Sequence, residues 1–519
     1  GLCPEQAPVM ARMRICGRAV EGARTGLLLA LPEELTVAAL CHLTTRDLAA
    51  LATASRSLHV AIEAALRLRL ASAQLFFAPP LPPGESSWVS LLLRTERRHT
   101  SDRVSVATGA WHSLFVDWDD QLLSCGVEAV PGLEPRPGLL GHGAMERPGR
   151  GVVVPTPIAA LHGIRIRSVA ASTHLSLALS WSGSVYTWGR FAPRQSGAGG
   201  EPAPRLTPEL VVGALQGVRV RGVAAGHAHA LAWSEEGSLY SWGRGWNEHT
   251  AGGTTGGMLG HGDMCDAPEP KQVEALAPER TGTRVIHAAA GELHSLAVTA
   301  GGELFSFGDH VFGQCGLGPG VTGPALGQRY LLPTRVRALA QERVLTAGAG
   351  DRHSLCVTEG GAVHCWGTAW SGSTLGLVAN SNVIVPEPRR LKALAGVNVA
   401  SVSAGSWAQS FAISTDGQVY SWGLNNYAAL GHGDDDQRCL PTLVEGLKGA
   451  RVRHLAASLS HAIAVGSDGA WCWGRGAHGM VGIEGSPGDA CVGLPREAFG
   501  GGGMEQARPR KYPQQLHLF

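Results

Sequence analysis

The chain has 519 residues and a formal net charge of +1, with four lysines beside 39 arginines and no run of five basic residues. A surface that binds nucleic acid strongly usually carries a basic stripe, so strong nucleic-acid binding is not predicted. No run of 18 apolar residues occurs, so we expect no membrane span. The 11 cysteines are odd in number and form no Cys-x-x-Cys pair, which predicts reduced thiols in a cytoplasmic and/or nuclear protein.

The first hundred residues differ from the rest. Residues 1–30 are interpreted as a disordered or incomplete N-terminal segment. Residues 31–76 contain no glycine, and their leucines recur at helical spacing on both sides of Thr44 and Thr45, either of which can cap a helix. We therefore predict a small all-α domain over 31–78. Residues 79–103 follow as a proline-rich linker and a last helix.

The helical segment resembles the F-box family. Its opening Leu-Pro-x-Glu-Leu begins at Leu31, the middle motif includes an Asp-Leu pair, and a Ser-Arg pair closes it. The match is imperfect, because Ala54 replaces the usual valine and the usual final tryptophan is absent. The resemblance implies contact with the Skp adaptor of a cullin–RING ubiquitin ligase. The alternative is a helical bundle that covers one side of the next domain. The expected adaptor-binding residues are Leu31, Pro32, Leu35, Leu43, Leu48 and Leu51.

A phrase of about 18 residues then occurs seven times. In the copy at 291–308, two runs of alternating apolar residues flank an Ala-Gly-Gly turn, which predicts a β-hairpin. Each copy has an anchor residue, and a glycine follows 13 to 15 residues later. The anchors are 52 to 65 residues apart. We expect these to be structural repeat anchors: His112, His174, His229, His294, His353, Gln409 and His461.

A short strand before each hairpin and one after it give about four strands per unit, which is typical of a β-propeller blade. Glycine, two variable residues, His-Ser, a hairpin and Trp-Gly resemble the regulator of chromosome condensation (RCC-type) repeat family. The resemblance implies an all-β seven-bladed propeller over 104–485, with one blade completed by strands from both ends of the domain. Cys125 and Phe307 replace the tryptophan in two copies. Residues 486–519 are interpreted as a glycine-rich C-terminal tail.

Four patterns that suggest chemistry are given structural interpretations. The Gly-x-Gly-x-x-Gly at 474–479 is not followed by a helix, which dinucleotide binding requires. Residues 433–437, Gly-Asp-Asp-Asp-Gln, lack the frame of a calcium loop. Cys356 and Cys365 lie on adjacent strands and are expected to stay reduced. The anchor histidines belong to different blades, and Gln409 cannot cycle a proton, so metal and general-base roles are not predicted.

The preferred function is a substrate-receptor subunit of an SCF-type ubiquitin ligase, in which the propeller binds a target protein. The reaction then belongs to partner enzymes, so no catalytic residue, cofactor or metal is predicted. The alternatives are guanine-nucleotide exchange on a Ran-like GTPase and a general protein-interaction scaffold. Light sensing, as in a plant receptor of this fold, needs a Gly-Trp-Arg-His-Thr motif that is absent here; only Trp111 and Trp407 fall near its position.

Target binding is predicted for a long glycine-rich loop at 244–258. Large aromatic and arginine side chains on exposed loops are frequent interface hot spots. The expected target-binding residues are Arg244, Trp246 and His249, helped by the loop at 190–208. The alternative is that Trp246 packs on its own blade.

Overall fold

The computed structural model describes residues 105–117, 119–128, 138–144, 151–190, 204–247, 255–319, 329–368, 375–377, 384–466, 469–476, 480 and 510–516. The segments 1–30, 31–78 and 79–103 lie outside these residues, so the F-box-like domain and its adaptor contact stay predictions. In the described part of the chain, no helix has the length and apolarity that a bilayer crossing requires.

Seven four-stranded antiparallel sheets form the blades of a propeller, as predicted. Blades 1 to 3 contain β1 Val106–Thr108, β2 His112–Val116, β3 Leu122–Gly126 and β4 Val152–Pro157; β5 Ile166–Ala171, β6 Leu175–Ser180, β7 Val185–Gly189 and β8 Arg205–Leu210; and β9 Val220–Ala225, β10 His229–Ser234, β11 Leu239–Gly243 and β14 Ala267–Gln272. Two short strands, β12 Trp246–Asn247 and β13 Thr255–Gly256, form a separate ribbon.

The remaining blades repeat this order. Blades 4 to 7 contain β15 Val285–Ala290, β16 His294–Thr299, β17 Leu304–Asp309 and β18 Arg329–Arg335; β19 Val344–Ala349, β20 His353–Thr358, β21 Val363–Thr368 and β22 Ile384–Arg390; β23 Val399–Ala404, β24 Gln409–Ser414, β25 Val419–Gly423 and β26 Arg438–Leu443; and β27 Val452–Ala457, β28 His461–Gly466, β29 Ala470–Gly474 and β30 Arg510–Leu516. Short 3-10 helices follow several outer strands, and an α-helical turn spans Pro278–Thr281.

The repeated phrase is the hairpin of the second and third strands. In blade 4, His294 lies opposite Gly308, and the pairing continues to Val298 opposite Leu304. The turn between them places Gly302 at φ +81, a conformation that L side chains rarely adopt. Alternation and turn chemistry in the sequence therefore specify this element directly.

The hydrophobic core is divided among the seams between neighbouring blades. In the seam of blades 1 and 2, for example, Leu114 and Val116 pack with Ile166 and Trp188. A hairpin alone is marginally stable in water, so each blade depends on the apolar surface of its neighbours. The tryptophan of the Trp-Gly pair adds a polar contact, because Trp188 Nε1 donates to the Leu139 carbonyl of the preceding blade at 2.9 Å.

The ring closes differently from the prediction. Blade 1 takes its four strands from residues 106–157, and blade 7 takes its four from residues 452–516, so among the described strands no blade combines the two ends. Closure depends on side chains instead: Phe115 and Cys125 of blade 1 pack with Ile463 and Cys472 of blade 7.

The predicted boundary at residue 485 is also wrong. Strand β30 pairs with β29, and Leu516 lies opposite Ala470. The region interpreted as a tail therefore supplies the outer strand of blade 7. The glycine-rich composition between the two strands concealed the short strand that follows it.

Candidate functional site

One edge of the ring collects two sets of loops. Because neighbouring strands are antiparallel, the first-to-second and third-to-outer links leave each blade at the same edge. We call this edge the loop face. Loops of a rigid scaffold are where binding residues are usually found, so the loop face is the candidate functional site.

The central channel opens on the loop face through a cavity of about 100 Å³. Seven first strands converge at the axis, so the residue that ends each strand must be small. Six of the seven are alanine, and Thr108 is the exception. Thr108 is 8% exposed and lines the cavity, and among the described residues its Oγ1 has no hydrogen-bond partner. The six equivalent alanines are Ala171, Ala225, Ala290, Ala349, Ala404 and Ala457.

The next ring of side chains surrounds the channel mouth. It comes from the middle of each first-to-second link, two residues after the alanine ring. Its only charged members are two carboxylates on adjacent blades, Glu292 and Asp351. The seven positions are Ala110, Thr173, His227, Glu292, Asp351, Ser406 and Leu459. The channel mouth is therefore acidic, although the whole chain has almost no net charge.

Asp351 is bound to the neighbouring blade. Its Oδ2 accepts a hydrogen bond from the backbone N–H of Trp407 at 3.1 Å. Burial, and next the negative charge of Glu292, raise the pKa of Asp351 to about 7. Trp407 itself is 57% exposed and has φ +72. A bulky residue in this conformation is held by its surroundings, so the backbone that carries the exposed indole is fixed.

Aromatic and arginine side chains continue around the loop face. The Arg475 guanidinium lies 5.1 Å from the ring centroid of Tyr427 and 5.8 Å from that of Trp111, within the range of cation–π contacts. Tyr427 is 42% exposed and, like Trp407, has a positive φ. Between blades 4 and 5, the Arg352 guanidinium lies 4.2 Å from the Phe312 ring centroid.

The anchor histidines lie inside the seams rather than on the loop face. His294 Nε2 is 2.7 Å from Ser354 Oγ, where Ser354 follows the anchor of the next blade. Since Ser354 Oγ donates to the Gln314 carbonyl at 2.9 Å, the histidine Nε2–H is the donor of the first bond. Five seams contain this histidine–serine bond: His112–Ser176, His229–Ser295, His294–Ser354, His353–Ser410 and His461–Ser113.

The other two seams lack the bond. In blade 2 the strand register places Leu175 opposite Gly189, so Leu175 occupies the anchor position and the assignment of His174 was wrong by one residue. The histidine one residue earlier, His174, matched the sequence pattern of the anchors although Leu175 holds the anchor position. Leu175 packs against blade 3, in which Ala230 occupies the position that serine holds in the five polar seams. Gln409 likewise faces blade 7, in which Ala462 occupies the serine position. Its Nε2 donates to the Leu459 carbonyl at 3.1 Å.

Burial keeps the anchor histidines neutral. It lowers the pKa of His294 to about 3, and nearby histidines contribute in the same direction. The pKa values of His112 and His229 are also lowered to about 3, and those of His353 and His461 to about 4, with burial as the main cause. A neutral imidazole donating from Nε2 explains these contacts without a catalytic proton.

Only some of the residues predicted to bind a target are described, and these lie in the link that follows β11. The Arg244 backbone N–H donates to the Ala228 carbonyl, and the Gly245 N–H donates to Asp266 Oδ1 at 2.9 Å. Trp246 is partly buried in the β12–β13 ribbon, opposite Gly256. His249 and residues 191–203 lie outside the described part of the chain. Target binding by Arg244, Trp246 and His249 stays a prediction.

The other patterns have structural roles. Asp434 Oδ2 accepts from Arg438 Nη2 at 2.6 Å, and its Oδ1 accepts from the Asp436 N–H, so the acidic loop is a turn. Cys356 and Cys365 are buried free thiols. Among the described residues, no three histidine, cysteine, aspartate or glutamate side chains are placed to hold a metal ion.

Comparison with known sequences agrees with this geometry. The model described as "Regulator of chromosome condensation (RCC1) repeat" matches residues 236–298, 301–357 and 416–465, and a second model of that description matches 285–314 and 399–428. The ultraviolet-B receptor UVR8 of Arabidopsis thaliana is 32% identical over 381 residues, 73% of this chain and 78% of the receptor. The chain belongs to the RCC1-repeat family.

Other RCC1-repeat proteins match over a similar region. The E3 ubiquitin-protein ligase HERC2 of Homo sapiens is 33% identical over 339 residues, which is 64% of this chain but 6% of HERC2. Yeast RCC1 (Prp20), in a crystal structure bound to Kap60, is 25% identical, with a TM-score of 0.55 over 68% of this chain and 78% of that one. Human WBSCR16 is 20% identical with a TM-score of 0.57, covering 70% and 88% of the two chains, and shows the shared fold.

Proposed function

We propose that the chain is a protein-binding subunit and that the loop face binds its partner protein. The observation that carries the proposal is the exposure of Tyr427 beside Arg475 and of Trp407 on the same loop face. Tryptophan, tyrosine and arginine are the side chains most enriched at interface hot spots. Exposed apolar side chains grouped on one surface usually mark a binding site.

The proposal places recognition on blades 6 and 7 and their neighbour blade 1. Arg475 belongs to blade 7, Tyr427 and Trp407 to blade 6, and Trp111 to blade 1. This surface contains a cation in contact range of two aromatic rings, and an exposed indole on another link of blade 6. A cluster of this kind gives a large contact area with little loss of side-chain entropy, since aromatic side chains have few rotatable bonds.

The test is affinity purification of the full chain, followed by identification of the captured proteins. Trp407→Ala and Tyr427→Ala together should reduce the yield of a specific partner at least tenfold, with little change in the thermal midpoint. Leu210→Ala is the matched control, because Leu210 is 51% exposed and pairs with Tyr186 at the opposite edge of its blade. Equal capture by the double variant and the control would contradict the proposal.

The F-box-like segment extends this proposal to ubiquitin ligation. In that form, residues 31–78 bind a Skp adaptor and the loop face presents a target protein to the ligase. The support is the motif that begins at Leu31. Leu35→Asp with Leu48→Asp would bury charge in an apolar contact. Adaptor capture should then be lost while target capture persists; adaptor yield at the wild-type level would refute the F-box interpretation.

Guanine-nucleotide exchange is the second candidate, favoured by the likeness to Prp20. A crystal structure of that yeast protein, which is 24% identical to this chain, is described together with its binding properties to Gsp1p and histones. The test measures how fast a Ran-like GTPase releases labelled nucleotide when this protein is present at a sub-stoichiometric concentration. Release at the buffer rate is expected for a binding subunit, whereas catalytic acceleration would favour exchange.

A further inference from the structure

The channel mouth has two features that the protein-binding proposal does not use, and a third, Trp407, that the two proposals share. Glu292 and Asp351, on adjacent blades, are the two charged residues of the mouth ring. Their charges affect each other, since Glu292 contributes to the raised pKa of Asp351. Two neighbouring carboxylates in a partly enclosed site repel each other, and a cation bound between them would relieve that repulsion.

A second feature is the orphaned hydroxyl of Thr108. Six blades place alanine at this level of the channel, and blade 1 places threonine there. Thr108 is more than nine-tenths buried, and its Oγ1 has no hydrogen-bond partner in the part of the chain that the structure describes. Buried polar groups are normally paired, so an unpaired hydroxyl lining a cavity indicates a polar occupant.

The third feature is the position of Trp407. Its backbone N–H donates to Asp351, so this residue adjoins one of the two carboxylates, and its side chain is 57% exposed. A tryptophan face attracts cations more strongly than the other aromatic rings do. Carboxylates and an indole together therefore select for positive charge.

The dimensions of the site favour one side chain over a free small molecule. The cavity is about 100 Å³, whereas pockets for drug-sized ligands are roughly 300–1,000 Å³. The mouth also opens directly onto the loop face. An ammonium or guanidinium group on the surface of a docked protein fits both facts.

We propose that the channel mouth binds a single arginine or lysine side chain of the partner protein, between the carboxylates of Asp351 and Glu292 and beside the Trp407 indole. This inference rests on the loop face being the protein-binding surface, and it specifies the chemistry of the partner. The partner would therefore present a basic side chain at the centre of its contact, with the aromatic cluster around it.

The probe is a pair of immobilised peptides, acetyl-Gly-Gly-Arg-Gly-Gly-amide and the same peptide with citrulline. Citrulline keeps the shape of arginine and removes the charge. At low ionic strength, where screening is weak, the full chain should retain the arginine peptide at least fivefold better. Asp351→Asn, which preserves the acceptor for the Trp407 N–H, should reduce that ratio to near one, and Glu292→Gln should lower it about threefold.

Glu445→Gln is the control, because Glu445 is an exposed carboxylate that follows an outer strand at the opposite edge. It should keep the wild-type ratio, and the thermal midpoints of all variants should agree within a few degrees. Equal retention of the two peptides by the wild-type chain would overturn the inference. So would a wild-type ratio in folded Asp351→Asn and Glu292→Gln.

The two proposals can fail separately. Loss of partner capture in the Trp407 and Tyr427 double variant, with no arginine preference in the wild type, would keep the loop face and refute the cation site. Arginine preference with unchanged partner capture would support the cation site and refute the loop face as the partner surface.

Discussion

The seam between blades 4 and 5 contains His294 and Ser354, whereas the seam between blades 2 and 3 has Leu175 and Ala230 at the same two positions. Both seams are buried and well packed. The first joins the blades with a polar pair, and the second does so with an apolar pair. The two members of each pair change together, which indicates that the position requires complementarity rather than histidine itself.

The largest expected difference between the two kinds of seam is in acid. The five seam histidines have pKa values of about 3 to 4 in the folded protein, below the ordinary value of 6.5. The unfolded chain therefore binds protons first as the pH falls through 6.5, and stability is lost progressively down to about pH 3. From pH 7.5 to 5.5 each histidine should cost about 1.4 kcal/mol of unfolding free energy.

Denaturant unfolding at several pH values measures this loss. The double variant His294→Leu with Ser354→Ala copies the apolar pair of blades 2 and 3. Its stability should depend on pH less steeply, by close to one proton between pH 4 and 6. An unchanged slope would mean that His294 does not contribute in this way.

Single substitutions in a polar seam should come next in size. His294→Ala removes a fully buried ring and leaves Ser354 without its histidine, for a cost of about 3 kcal/mol. The double variant above should be less destabilised than this single one at pH 7.5, because it leaves no unpaired group. Equilibrium unfolding of the single and double variants gives the comparison. A double variant that is no more stable than His294→Ala would contradict complementarity.

The smallest effect is expected for building the polar pair where it is absent. Leu175→His places an imidazole against Ala230 and should cost about 2 kcal/mol, since a buried polar group lacks a partner. Adding Ala230→Ser should recover about 1 kcal/mol of that loss. The double-mutant cycle measures the coupling energy. A coupling near zero would show that this seam cannot accept the histidine–serine bond.

Much of the fold was predictable because each blade repeats one local signal. The hairpin at 291–308, its Gly-Gly turn and the seven copies follow from alternation and glycine position. His174 was misassigned because a histidine stands one residue before the anchor position, which Leu175 occupies. The outer strand of blade 7 was missed because 35 residues separate Gly474 from Arg510, so no local pattern connects them.

The candidate site was less predictable from the sequence. The sequence pattern points to Trp407 and Trp111 but not to Tyr427 and Arg475, because the contacts of Arg475 depend on how blades 6, 7 and 1 align. Glu292 and Asp351 are 59 residues apart and become neighbours only when adjacent blades align. Their shared position within the repeat, two residues before the anchor, was the available signal.

The position of β30 near residue 516, far in sequence from β29, has a consequence for protein synthesis. Blades 1 to 6 can each complete their four-stranded sheets as the chain emerges from the ribosome, since their strands are close in sequence. Blade 7 keeps the outer edge of β29 unpaired until residues 510–516 have been made. A product that stops between residues 480 and 509 would have six complete blades and one exposed strand edge, which is a template for aggregation. Nonsense and frameshift changes in that interval are therefore expected to act like severe missense changes in the core.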